Sequence, residues 1–177
     1  MFIKLVKFNG VAVGLQVKDR FFPVVTDQLG SIRALLSEDG KSIIFERSFD
    51  AWGNKSVVFN SSLEQKQSAL LEKLCVFSFA GLIENPLLSG AGIQLYWSQS
   101  RVYSPAAQEW LSADPLLKWN PSAIVNHPGN FIGTRYANND PVNLIDPTGG
   151  FVVPAVILVG LLSYELFSGQ SCSRSRK

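Results

Sequence analysis

The stretch VVTDQLGSIRALLSEDGKSIIFERSFDAWGN, Val24 to Asn54, decides how this chain is read. Short apolar runs end at clusters of Asp, Gly, Ser and Asn, the residues that let a chain reverse direction. Asp39-Gly40 is a strong signal for a two-residue hairpin, because glycine accepts the positive φ that such a turn demands. The segments on either side alternate faces across it, which predicts strand, turn, strand. Trp52-Gly53-Asn54 closes the unit. Upstream, Asn9-Gly10 and Lys18-Asp19-Arg20 break the chain into further short apolar runs, a hairpin pattern rather than a helical one.

Downstream the rhythm changes once. In SSLEQKQSALLEKLC, residues 61–75, Leu63, Leu70, Leu71 and Leu74 share a helical face, and Ser61 with Glu64 has capping-box spacing. This predicts one short amphipathic helix over 62–75. After it VFSFAGL reads as a strand, PLLSGAG as a loop, and IQLYWSQSRVYS alternates again. From Asp114 onward Pro115, Pro121, Pro128, Pro141 and Pro147 exclude long regular elements and predict irregular coil against a sheet. The expected class is mainly antiparallel β.

Composition limits what such a chain does. Its 177 residues suffice for one folded unit and a tail. The hydrophobic fraction of 46% excludes a disordered chain, and 14 glycines and 9 prolines fit frequent turns. The net charge of +2 is carried by the tail, where Arg174, Arg176 and Lys177 outnumber Glu165. The body therefore presents no basic face, and nucleic acid is excluded as a partner. Cys75 and Cys172 have neither disulfide-framework nor metal-ligand spacing. His127 is the single histidine, followed by Pro128 and Gly129 as in a loop, so a histidine metal site is not expected, nor any cofactor. The apolar run VAVGL after Lys4 and Lys7 is too short for a signal-peptide core. That leaves the cytoplasm, a membrane surface or export by a dedicated secretion system.

The tail FVVPAVILVGLLSYELF, residues 151–167, has Glu165 as its one charge. As a helix it would reach roughly 25 Å at about 1.5 Å per residue, slightly short of a hydrocarbon core of about 30 Å. The reading is a hydrophobic tail helix in contact with a membrane, with burial in the protein core as the alternative.

Five ordered blocks, VVTDQLGSIRALLSEDG, FERSFDAWGN, FSFAG, LYWSQSRVYSPAAQEWLSADPL and YANNDPVNLIDPTG, resemble the Rhs repeat-associated core domain. They cover most of residues 21–149. Rhs and YD-repeat proteins, to which the C component of Tc toxins is related, wind a long β-sheet into a hollow shell. The core domain forms the C-terminal end of that shell, and a variable toxin domain follows it. The resemblance thus implies a core domain over 1–150, an incomplete shell whose missing strands a longer Rhs polypeptide would supply, and a variable tail over 151–177.

It also implies chemistry. In the family the core ends at a PxxxxDPxG motif, where the chain is released by an intramolecular, aspartyl-peptidase-like cleavage. Pro141, Asp146, Pro147 and Gly149 stand at the matching positions, which places the cut at Gly150–Phe151. The family pattern has an apolar residue where Gly150 stands. The arginine and aspartate associated with the cleavage match Arg101 and Asp114. Two nearby carboxylates suit peptide hydrolysis, because like charges push their pKa values apart and leave one acid and one base. An arginine beside them holds a carboxylate by a bidentate contact or stabilises charge on the scissile carbonyl. Two functions from different classes follow: a toxin-encapsulating core fragment that cuts itself, or a non-enzymatic, membrane-associated structural or interaction protein anchored by its tail.

Overall fold

The computed structural model describes residues 3–8, 11–59, 65–115, 133–150 and 152–154. Six strands, β1 (Ile3–Phe8), β2 (Val11–Val17), β3 (Arg20–Thr26), β4 (Ile32–Leu36), β5 (Ile43–Phe49) and β6 (Lys55–Phe59), form one antiparallel meander in chain order. The short connections explain that order, since each strand pairs with the one a tight turn delivers beside it. Val17 pairs with Arg20 across a two-residue turn in which Lys18 takes φ +56°. The β4–β5 connection is longer than the two-residue hairpin expected at Asp39-Gly40. It runs from Ser37 to Ser42, closed by Ser37 N–H to Ser42 O at 2.8 Å, with Gly40 at φ +70°. Asn9 and Gly10 lie outside the described residues.

The meander buries Leu15, Val17, Phe22, Ile32, Leu35, Ile44 and Phe45 in one cluster. Helix α1 (Gln65–Leu74) covers it with Leu71, and Cys75 follows at the helix end. The helix is where the sequence puts it, but its buried line is Ser68 and Leu71, and Leu70 is 56% exposed. Ser61, Leu63 and Glu64, and so the expected cap, lie outside the described residues. The C-terminal end of the helix is closed from the sheet. Arg47 of β5, fully buried, donates to the main-chain oxygens of Glu72, Cys75 and Phe77 at 3.0, 2.8 and 2.9 Å.

A second, smaller sheet follows, ordered β10 (Glu109–Trp110), β9 (Val102–Ser104), β8 (Tyr96–Trp97) and β7 (Ile83–Glu84). Its core is aromatic: Phe79, Tyr96, Tyr103, Trp110 and Tyr136 pack together with Leu82 and Ala137. Two phenols tie this core to the turn that ends β5, Tyr96 donating to Gly53 O at 2.8 Å and Tyr103 to Trp52 O at 2.7 Å. Gly53 has φ +90°, and a Cβ there would come within 2.7 Å of the Phe79 ring. The Trp-Gly-Asn turn is thus a joint between the two sheets.

Two sequence expectations fail here. VFSFAGL is not a strand: Phe77 makes only a single bridge to Ile83, and Phe79–Gly81 turns sharply with Ala80 at φ +49°. The turn is held because Ser31 Oγ accepts from Ala80 N–H at 3.0 Å. Within PLLSGAG, residues Pro86–Gly90 form a short helix, α2, rather than loop. Asn85 caps it, its side chain accepting from the Leu87 and Leu88 amides, with Pro86 in the first turn, where its missing N–H costs nothing.

A last pair, β11 (Leu144–Ile145) and β12 (Val153–Pro154), is antiparallel. The expected tail helix over 151–167 therefore does not begin at its first residues, since Val153 and Pro154 are strand. Residues 155–177 lie outside the described residues, as do Trp119 and His127. Among the described residues no helix is long and apolar enough to cross a membrane.

Candidate cleavage site

Arg101 lies just before β9, where Ser98 turns the chain. Ser98 Oγ accepts from the Ser100 and Arg101 amides at 3.2 and 2.9 Å, and Ser98 N–H donates to Arg101 O at 2.9 Å. The guanidinium points inward and stacks over the Trp110 ring, 4.5 Å from its centroid. Burial lowers its pKa, and the neighbouring Asp114 and Asp146 charges oppose that drop.

The three residues singled out by the sequence meet at one atom. Arg101 Nη2 is 2.9 Å from Asp146 Oδ2 and 3.2 Å from Asp114 Oδ2. Arg101 Nη1 donates to Gly133 O at 2.9 Å, and the same carbonyl accepts from Asp114 N–H at 3.0 Å. Gly133 thus holds both the guanidinium and the segment that carries Asp114. The two carboxylates differ in setting: the Asp146 side chain is 1% exposed and that of Asp114 is 18% exposed.

The second oxygen of Asp146 organises the loop that follows it. Oδ1 accepts from Gly149 N–H at 2.8 Å and Gly150 N–H at 3.0 Å. The nitrogen of Gly150 is therefore in direct contact with the carboxylate, and the Gly150 carbonyl carbon is only two covalent bonds further along the chain. Pro141 is buried, Pro147 half-buried, and Gly149 takes φ +76°. Phe151 lies outside the described residues. β11 and β12 flank this loop, so the chain on both sides of it is hydrogen-bonded together.

Sequence reasoning missed Ser98, Ser100 and Gly133. The single proton of Ser100 Oγ is shared between Thr148 O and Gly149 O, at 3.0 and 2.9 Å. The available hint was the Ser-Gln-Ser run directly ahead of Arg101, a side chain chemistry suited to local turns. Gly133 carried no signal, since a main-chain carbonyl is independent of residue type.

The chain was compared with known proteins. No protein-family model matches the sequence, and no curated protein matches it. Among solved structures, the TcdB2–TccC3–Cdc42 crystal structure aligns with a TM-score of 0.54 at 20% identity, over 83% of this chain and 6% of that one. The fold is similar to that of a part of a Tc toxin chain. The Tc holotoxin pore of Photorhabdus luminescens with a mutated TccC3 aligns at TM-score 0.55 and 20% identity, over 76% of this chain and 5% of that one. TcdB2–TccC3 without its hypervariable C-terminal region gives 0.53 and 22%, over 77% and 6%. This chain therefore spans about a twentieth of the length of the chains it resembles, and at these identities the likeness is one of fold.

Proposed function

We propose that this protein is a C-terminal piece of an Rhs-type, toxin-encapsulating shell, which cuts itself at Gly150–Phe151. One observation carries the reading: a single guanidinium nitrogen bridges Asp114 and Asp146 while Asp146 also holds the Gly150 amide. Two neighbouring carboxylates are what peptide hydrolysis by paired acids needs, and the glycine-rich loop held by one of them brings the chain to be cut beside the pair.

The two aspartates share acid and base duties. One carboxylate takes a proton from water, whose oxygen adds to the Gly150 carbonyl carbon. The other carboxyl gives its proton to the Phe151 nitrogen as the C–N bond breaks, leaving a carboxylate at Gly150 and an amine at Phe151. Arg101 orients both groups and offsets charge that develops on the carbonyl oxygen. No metal or cofactor enters. Residues 1–150 are the core and 151–177 the released tail, and a longer Rhs polypeptide supplies the remaining shell strands. The small share of the longer Tc chains that this fold spans supports such a partner.

The test is a time course of purified full-length chain at several protein concentrations. An intramolecular cut proceeds at a rate independent of concentration, and Asp114→Asn, which keeps shape and removes the ionisable proton, abolishes it. A rate that rises with concentration, or an Asp114→Asn chain cut at the wild-type rate, removes the reading.

A further inference from the structure

We propose that Ser100 is a positioning residue for this cut, and that Ser98 and Ser100 together restrict position 149 to glycine. The inference rests on the self-cleavage reading. It starts from the Gly149–Gly150 peptide, which is gripped at both ends. Its carbonyl oxygen accepts from Ser100 Oγ at 2.9 Å, and its N–H donates to Asp146 Oδ1 at 3.0 Å. A peptide unit is planar, so pinning its oxygen and its nitrogen fixes the orientation of the whole plane. Only the two backbone torsions of Gly150 then separate that fixed plane from the scissile carbonyl. Glycine is the residue whose torsions are least restricted, so the grip on the preceding plane is the main local constraint on where that carbonyl points.

The grip is coupled to the catalytic guanidinium. Ser98, Ser100 and Arg101 belong to one turn, in which Ser98 Oγ accepts from the amides of the other two. A displacement that loosened the serine contact would also shift Arg101. Residue 149 is squeezed against the same turn: a Cβ there would run into the Ser98 hydroxyl and come within 2.8 Å of that of Ser100. Its φ of +76° disfavours any side chain as well. The turn therefore reads residue 149 by exclusion, which keeps the loop close enough for the serine and aspartate contacts to form.

The experiment compares Ser100→Ala and Ser100→Thr with the wild-type full-length chain. Loss of the hydroxyl slows cleavage by about tenfold to a hundredfold, the range for misaligned reacting groups, and shifts the thermal midpoint by no more than about 4 °C. Ser100→Thr keeps the hydroxyl and restores the rate. A second measurement does not depend on cleavage. In the Asp114→Asn background, where the chain stays whole, amide hydrogen exchange at Gly149 and Gly150 is read with and without Ser100→Ala, and the alanine accelerates it. Ser100→Ala cutting at the wild-type rate with unchanged exchange overturns the proposal. A wild-type chain that never cuts removes the cleavage reading and with it the positioning role, and accelerated exchange would then leave only a structural clamp.

Discussion

Arg47 and Arg101 are both buried arginines, and both lie over an aromatic ring, Phe45 at 4.8 Å and Trp110 at 4.5 Å. They differ in what their donors hold. Arg47 reaches three main-chain carbonyls at the end of α1, and the Glu72 carboxylate at 3.2 Å. Its neighbour Lys55 links Glu72 and Glu84 at 2.8 and 2.7 Å, so charges from β5, β6, α1 and β7 interlock. Arg101 reaches one carbonyl and two carboxylates from distant parts of the chain. Carbonyls at a helix end are groups the fold must satisfy in any case. At Arg101 the donors instead gather two acids on one cation, beside a glycine loop. The same residue type at similar burial thus closes a helix end in one sheet and gathers two carboxylates in the other.

The comparison breaks first at Arg47. Replacing it by Met removes a donor from three main-chain carbonyls and one charged contact of Glu72, and is expected to destabilise the chain by about 3–5 kcal/mol. Denaturant titration reads this directly, and an Arg47→Met chain that unfolds like wild type would mean the closure is not needed. Asp146→Asn comes next. The amide oxygen still serves the Gly149 and Gly150 amides, but the charge facing Arg101 is gone, an expected loss of about 1.5–3 kcal/mol. Cleavage is abolished in the same variant, and calorimetry with a gel assay separates the two effects.

Alkaline pH tests the aromatic sheet. Burial pushes the phenols of Tyr96, Tyr103 and Tyr136 up from their ordinary value of 10.0. Below that value the phenols are protonated in folded and unfolded chain alike, so their contribution is fully present. Above it the unfolded chain ionises first, and stability falls as pH rises toward the folded values. Phenolate absorbance should therefore appear together with loss of tertiary structure. Gradual ionisation with the fold intact would show that these rings are not sealed. In acid the counterpart is Glu84. Its pKa is lowered: burial works against this, and the Lys55 and Ser89 hydrogen bonds outweigh it. Its contribution is present above the ordinary carboxylate range and fades as pH falls through the folded value.

The strands were legible because hairpins bring neighbours in sequence together, and Lys18-Asp19 and Asp39-Gly40 punctuate them. Arg47 was legible in principle, since it falls in phase with Phe45 and Phe49 on one face of β5. The turn at Ala80 was not, because the positive φ falls on a non-glycine residue and its amide is held by Ser31, far away in sequence. The helix at Pro86 was hidden by small residues, although Asn85-Pro86 is a cap followed by a first-turn proline. At the site, only the resemblance linked Arg101, Asp114 and Asp146. Nothing local in the sequence announces that chain segments so far apart will meet, or that a serine pair will grip the loop between them.

Asp114→Asn has the smallest expected effect on the fold and the most direct bearing on function. The side chain is 18% exposed and shares Arg101 with Asp146, which still holds that cation when Asp114 is replaced, so its loss should cost less than that of Asp146. Intact-mass analysis of wild-type and Asp114→Asn chains, purified and incubated side by side, is the decisive measurement. The account predicts that the wild-type chain of 177 residues gives two products, one ending at Gly150 and one beginning at Phe151, while Asp114→Asn stays whole and folded. A wild-type chain that remains a single intact mass, or one cut elsewhere, would contradict it.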